Sequence, residues 1–248
     1  MESTSDARTG NKYANFHLMY LILQLIGFTL MILMFCWVFI YLGGLSWSAT
    51  PNIQFNWHPL LMTIGMIYLY GNSILVYRGV RYARKRSLKI SHASIFGAIM
   101  FLTLIAAWAV YDSHVLRTPP IPNLYSLHSW IGLIAIILFI LQWLGGFFSF
   151  LYPIITAQQR DSFMPTHIYF GLAGYIMAIA AALLGLCEKA LFQMPKTYPE
   201  LPNEAVIINT IGILIVTFAA LVVYLATHRQ FKRLPLPEDA ILLTGHDE

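Results

Sequence analysis

Charge is what this sequence has least of. Only 10% of its 248 residues are Asp, Glu, Lys or Arg, against roughly 25% in an ordinary soluble domain, and that scarcity excludes a water-soluble globule. Cysteine is nearly absent too. Cys36 and Cys187 are the only two, and both lie in apolar runs, so neither a disulfide framework nor a thiolate metal site is indicated. Long polar tracts are missing, and with 58% apolar and 15% aromatic residues the chain cannot be a disordered or low-complexity protein. A concentrated positive field is missing as well. The net charge of +4 comes from 15 Lys and Arg against 11 Asp and Glu, a small excess that membrane orientation accounts for, so nucleic acid is excluded as a partner.

What is present is apolar sequence in long uncharged runs, over residues 13–77, 90–111, 118–159, 162–187 and 205–228, with a mean hydropathy of +0.66. A hydrocarbon core of about 30 Å takes about 20 helical residues to cross, so each run holds a span. The first holds two, interrupted at Gly43-Gly44 and by the turn-rich segment Ser46-Trp47-Ser48-Ala49-Thr50-Pro51-Asn52. The expectation is one all-α membrane domain over 1–248 with six transmembrane helices, at about 18–42, 57–77, 90–111, 125–150, 167–187 and 205–227, and a tail over 228–248. Lys and Arg collect on alternate loops. Twelve fall on one side (Arg8, Lys12, Arg78, Arg81, Arg84, Lys85, Arg86, Lys89, Arg160, Arg229, Lys232, Arg233) and three on the other (Arg117, Lys189, Lys196). The positive-inside rule then predicts both termini in the cytoplasm.

Four of the eight histidines stand near the starts of four successive helices: His58, His92, His128 and His167. Topology sorts them by depth. Helices two and four run inward, putting His58 and His128 near the outer face, whereas helices three and five run outward, putting His92 and His167 near the inner face. Two imidazoles on facing helices suit the axial positions of a low-spin b-type haem. Covalent haem attachment is excluded, because no Cys-x-x-Cys-His occurs. Gly132 and Gly171, each four residues after a histidine, are expected to leave room on the ligand's own helical face. Intramembrane ionisable residues are functional candidates in general, so two other readings of the same residues stay open. One is a transporter with a histidine proton relay, which would be colourless; the other is a quinone-linked cytochrome b subunit, which ascorbate would not reduce without a quinol.

The segments Phe55-Asn56-Trp57-His58-Pro59, Val76-Tyr77-Arg78, Asn123-Leu124-Tyr125-Ser126-Leu127-His128-Ser129-Trp130, His167-Ile168-Tyr169-Phe170-Gly171, Glu188-Lys189 and Asn203-Glu204-Ala205-Val206 together resemble the eukaryotic cytochrome b561 family. The resemblance covers the chain from helix one to helix six, and Tyr-Ser-Leu-His-Ser-Trp is its most specific part. It implies a six-helix, usually dimeric protein in which helices 2 to 5 form a four-helix bundle around two haems b. Such a protein passes electrons from cytoplasmic ascorbate to an acceptor across the membrane. It also implies the pairing of His58 with His128 and of His92 with His167, in agreement with the topology.

Ascorbate is a monoanion, and cations at the inner interface are expected to receive it. Lys85 and Lys89 stand one turn apart, with His92 three residues further along the same face, and Arg160 lies seven residues before His167; the resemblance assigns Lys85, Lys89 and Arg160 to the ascorbate site. On the outer side it makes His114, Asn123 and Tyr125 candidates for binding monodehydroascorbate or a ferric iron chelate, although the loop before Asn123 carries a proline-rich insertion relative to the family. The tail segment Glu238-Asp239-Ala240-Ile241-Leu242-Leu243 matches an acidic dileucine signal, a receptor-read address for late endosomes and lysosomes. A secretory vesicle or the plasma membrane is the alternative. An acidic lumen would favour iron as acceptor, and a secretory vesicle monodehydroascorbate.

Overall fold

A computed structural model of the chain describes the backbone of residues 2–47 and 50–234, and side chains from Ala14 onward. The dileucine segment Glu238 to Leu243 lies outside the described residues. Six helices are long and apolar enough to cross a membrane: α1 (Ala14–Tyr41), α2 (Pro51–Gly79), α3 (Lys85–Val115), α4 (Leu127–Leu151), α5 (Ala157–Gln193) and α6 (Asn203–Thr227). The described residues contain no strand. The protein is therefore an all-α, multi-pass membrane protein. Six crossings leave both termini at one end, which also carries the arginine-rich α2–α3 loop over 80–84 and is called here the basic end; the opposite end is the far end.

The helices outrun the hydropathic segments that announce them. Helix α3 begins at Lys85 and α5 at Ala157, five and ten residues before the helix starts expected from the sequence, because charge marks where hydrocarbon ends and not where helical hydrogen bonding ends. Local chemistry fixes the α5 start. The Thr156 Oγ1 accepts the Gln159 backbone N–H at 3.3 Å while Gln159 Oε1 accepts the Thr156 N–H at 2.9 Å, a reciprocal cap that satisfies two of the otherwise orphaned donors. Helix α4 has the same device, Ser126 with Ser129. Helix α2 opens with the short segment Pro51–Gln54 and resumes at Trp57–Met62, and Pro51 and Pro59 each stand in the first turn of one of these segments, where the missing N–H costs nothing. Gly43 and Gly44 adopt φ of +83° and +84°, the left-handed region that turns the chain from α1 toward α2. Both Asn56 Nδ2 contacts, to the carbonyls of Leu42 and Gly44 at 2.8 Å, then pin that turn beside His58.

Helices α2 to α5 form a bundle of two antiparallel hairpins, α2–α3 and α4–α5, and α1 and α6 pack together along its α2 side. In a bilayer the lipid is as apolar as leucine, so close packing and interhelical hydrogen bonds hold helices together. Phe218 of α6 and Tyr68 of α2 fill the space that glycine leaves at Gly27, where an added Cβ would stand 2.6 Å from the tyrosine ring. Buried polar links add to this: Tyr20 and Gln24 of α1 both donate to Asn72 Oδ1 of α2, at 2.8 and 2.7 Å. At mid-depth Tyr70, Phe96, Phe139 and Tyr175, one from each bundle helix, close into a buried ring cluster with centroids 4.9 to 5.5 Å apart. That cluster lies between the two ends of the bundle, its Phe96 packed against His92.

Candidate functional site

The four histidines meet as two pairs, one at each end of the bundle. His58 on α2 faces His128 on α4 with ring centroids 6.1 Å apart, and His92 on α3 faces His167 on α5 at 6.5 Å. Neither pair is close enough to stack or to hydrogen-bond directly. Three of the four rings turn Nδ1 to a backbone carbonyl: His58 to Ala106 at 3.3 Å, His128 to Ala181 at 2.7 Å and His92 to Ser73 at 3.0 Å. An Nδ1–H donated in this way fixes the tautomer that leaves Nε2 free as a ligand. His167 Nδ1 is the exception, buried without a partner. His128 stands in the first turn of α4, and His58 in the first turn of the segment Trp57–Met62 that resumes α2 after a turn at Phe55-Asn56. His92 and His167 lie about two and three turns into their helices, deeper in the element than the sequence suggests, because α3 and α5 start early.

This spacing fits two imidazoles that would share one metal. A metal held by two imidazoles through nitrogens at about 2 Å separates the ring centroids by about 6 Å, which is the spacing of both pairs. No group of three or more His, Cys, Asp or Glu that could hold a metal ion occurs among the described residues, so a ligand set of two per site suits an iron whose remaining positions a macrocycle fills. Room exists at the far end. A cavity of about 840 Å³ opens beside His58 and His128, lined by Met62, Met66, Ile136 and Leu133 among others. Its α2 wall follows a widened stretch of helix, Thr63–Leu69, of the kind that often adjoins functional sites. At the basic end the pair is walled by rings instead, with Phe96 and Tyr77 on His92 and Phe150 and Phe163 on His167.

Open space surrounds Gly132 and Gly171: a Cβ at Gly132, which lines the cavity, would make ordinary contact with Ala181 at 3.8 Å, and one at Gly171 would come no nearer than 4.0 Å to Gln142. The tight positions are two other glycines, Gly185, where a Cβ would lie 2.7 Å from His128 Cε1, and Gly146, where it would lie 2.9 Å from His167 Cε1. Each sits on the neighbouring helix. A signal for them does exist in the sequence: Gly146 follows His128 by eighteen residues and Gly185 follows His167 by eighteen.

Around the basic-end pair, Lys85 is exposed and Lys89 and Arg160 are half-buried. Lys89 Nζ donates to the carbonyl of Phe150 at 2.8 Å, one of the carbonyls freed where α4 ends. Arg160 Nη1 donates to Ile155 O at 2.8 Å. The charges of Lys85 and Arg160 both bear on Lys89, so the three cations share one interfacial patch. At the far end His114 Nδ1 and Asn123 Oδ1 are 2.9 Å apart, and both line the cavity mouth with Tyr125. Partial desolvation, then the charge of Glu188 and a hydrogen bond to it, push the Tyr125 phenol up from its ordinary range, so it stays a neutral donor. Glu188 also accepts from Ser126 Oγ at 3.1 Å, tying the end of α5 to the start of α4 and so fixing where His128 begins. Two cations at this mouth were not anticipated as site residues. Arg117 and Lys189 both line the cavity, Lys189 lying 4.6 Å over the Phe55 ring. Both are basic residues on the side that has few, and Lys189 also lies in Glu188-Lys189, one of the segments that carry the family resemblance.

Comparison with known proteins agrees with this geometry. The family profile described as eukaryotic cytochrome b561 matches residues 57–193, the stretch from α2 through α5. The pig transmembrane ascorbate-dependent reductase CYB561 is 40% identical over 210 residues, covering 85% of this chain and 82% of the relative. Its human counterpart is 38% identical over 219 residues, covering 88% and 86%. The plasma membrane ascorbate-dependent reductase CYBRD1 of Xenopus laevis is 40% identical over 212 residues, covering 84% and 74%.

Proposed function

The chain belongs to the eukaryotic cytochrome b561 family, and on that premise we propose that it is a transmembrane oxidoreductase that takes electrons from ascorbate at the basic, cytoplasmic end and delivers them to an acceptor at the far end. The observation that carries the reading is the pair of imidazole pairs at opposite ends of one bundle, each at a spacing that suits a shared iron. His92 with His167 and His58 with His128 would each hold one haem b. Two haems bound there supply one-electron chemistry without an open coordination site. The chain's own residues do the rest. Lys85, Lys89 and Arg160 attract and orient the ascorbate anion, the ring cluster at mid-depth excludes water from the bundle's middle, and the carbonyls of Ala106, Ala181 and Ser73 hold three imidazoles in their ligating tautomer.

At the far end His114, Asn123 and Tyr125 receive the acceptor, either a ferric chelate or monodehydroascorbate. The acidic dileucine segment supports a late endosomal or lysosomal address and therefore iron; a secretory vesicle would favour monodehydroascorbate, and the plasma membrane is a third address, the one in the name of the Xenopus relative. Two copies assemble as a homodimer in this reading. The deciding experiment is an absorption spectrum of the purified protein before and after ascorbate, with no quinol present. Two haems per chain reduced by ascorbate are expected; a colourless protein would overturn the proposal. Stopped-flow oxidation of the reduced protein by ferric chelates and by monodehydroascorbate then separates the acceptors.

A further inference from the structure

Helices α4 and α5 run antiparallel, and their histidines and glycines are related by one register. His128 packs on Gly185 and His167 packs on Gly146, so each helix offers a histidine at one end and the receiving glycine at the other. Within each helix the two are eighteen residues apart, which is five turns of 3.6 residues, so both project from the same face. From this we infer that Gly146 and Gly185 are positioning residues: each is the seat against which the neighbouring helix's imidazole rests, and the absence of a Cβ sets how close the ring's edge comes to the backbone.

The distances decide what a single carbon would do. Contacts of 2.9 Å at Gly146 and 2.7 Å at Gly185 are to imidazole ring carbons; at Gly185 the ring is held by its Nδ1 bond to Ala181, and at Gly146 it is hemmed in by the rings of Phe150 and Phe163. The ring cannot simply swing aside, so alanine at either place must push the imidazole or spread the hairpin. Gly132 and Gly171 lie on the same two helices with only ordinary contacts, which makes them matched controls for helix–helix packing. Alanine is the better helix former, so at the control positions the substitution should be neutral or stabilising.

The effect should be end-specific. Gly146→Ala should disturb the basic-end pair alone and Gly185→Ala the far-end pair alone. The first test is a double-mutant cycle on thermal stability of the detergent-solubilised full chain, pairing Gly146→Ala with His167→Ala and Gly185→Ala with His128→Ala, because coupling between contacting residues appears as non-additivity. The penalty of each glycine substitution should vanish when its own histidine is replaced and persist when the other histidine is replaced. Additive penalties in both cycles would overturn the inference. This cycle does not require haem, so it stands or falls apart from the proposed function. The second readout rests on that function: haem content and the low-spin electron paramagnetic resonance of each variant. Gly146→Ala and Gly185→Ala should each lose or shift one of two signals, and Gly212→Ala, on α6 with only ordinary contacts, neither. Unchanged signals in both of the first two variants would overturn the seating role.

Discussion

The two histidine pairs are built to one plan, and their hydrogen bonding differs at one place. In both, the rings stand just over 6 Å apart, and the carbonyl that receives a ring's Nδ1 lies fourteen or fifteen residues, about four turns, beyond the histidine on the receiving helix itself. Ala106 follows His92, Ser73 follows His58 and Ala181 follows His167 in this way. The same spacing from His128 leads to Gln142, where the pattern breaks. His167 Nδ1 has no partner, and Gln142 Oε1 is buried without one as well. The far-end pair is thus held by two carbonyls, whereas the basic-end pair has one ring fixed and one ring whose orientation depends on its glycine seat and on the rings of Phe150 and Phe163. A symmetric scaffold has been relaxed at the end where the ascorbate site is proposed.

The comparison breaks outright if the pairs are not independent. His92→Ala with His167→Ala should leave one of two haems, and His58→Ala with His128→Ala should leave the other, each measured by haem-to-protein ratio; loss of both from either variant would mean a shared site. The next largest effect separates the ends by substrate. Lys85→Ala with Lys89→Ala should raise the ascorbate concentration for half-maximal reduction by about tenfold, equivalent to about 1.4 kcal/mol, with reduction by dithionite unchanged. Added salt should weaken the wild-type dependence, since exposed charges are screened within about 10 Å at 0.1 M. An unaltered ascorbate curve would remove these lysines from the site. At the far end Tyr125→Phe removes one neutral donor, so oxidation by the acceptor should slow about fivefold, the worth of about 1 kcal/mol, while ascorbate reduction keeps its rate. The smallest effect tests the asymmetry itself. Gln142→Leu removes an amide that makes no bond to His167, so the midpoint potentials of both sites should stay where they are in the wild type. A shift confined to the His92–His167 site would show that Gln142 acts on His167 and that the asymmetry is not one of hydrogen bonding.

The six spans and the two pairings were legible because they depend on hydropathy and on alternation of direction, both of which a single sequence carries. Helix ends were less so. The uncharged run before His167 begins at residue 162, but the cap at Thr156 and Gln159 starts α5 earlier, and its Pro165 is accommodated inside the helix. Hence His92 and His167 are interior residues of their helices. Gly132 and Gly171 do have open space beside them, but the two glycines that touch the imidazoles, Gly146 and Gly185, were not legible, because close packing is a property of two helices in register and the register appears only when the hairpin is built. Arg117 and Lys189 were hidden for a similar reason, since the cavity that gathers them is made by segments distant in the chain.

The five-turn separation of each histidine from the seat of the other fixes one more quantity. Eighteen residues at 1.5 Å span about 27 Å along the helix axis, close to the full thickness of the hydrocarbon. Charge moved from one imidazole pair to the other would therefore cross most of the membrane's electric field, for which a full crossing is worth about 2.3 kcal/mol per elementary charge at 100 mV. The bundle then behaves as an electrogenic element. In sealed vesicles, the rate at which the distant pair responds should depend on voltage, and the sign of that dependence reports which way the protein faces.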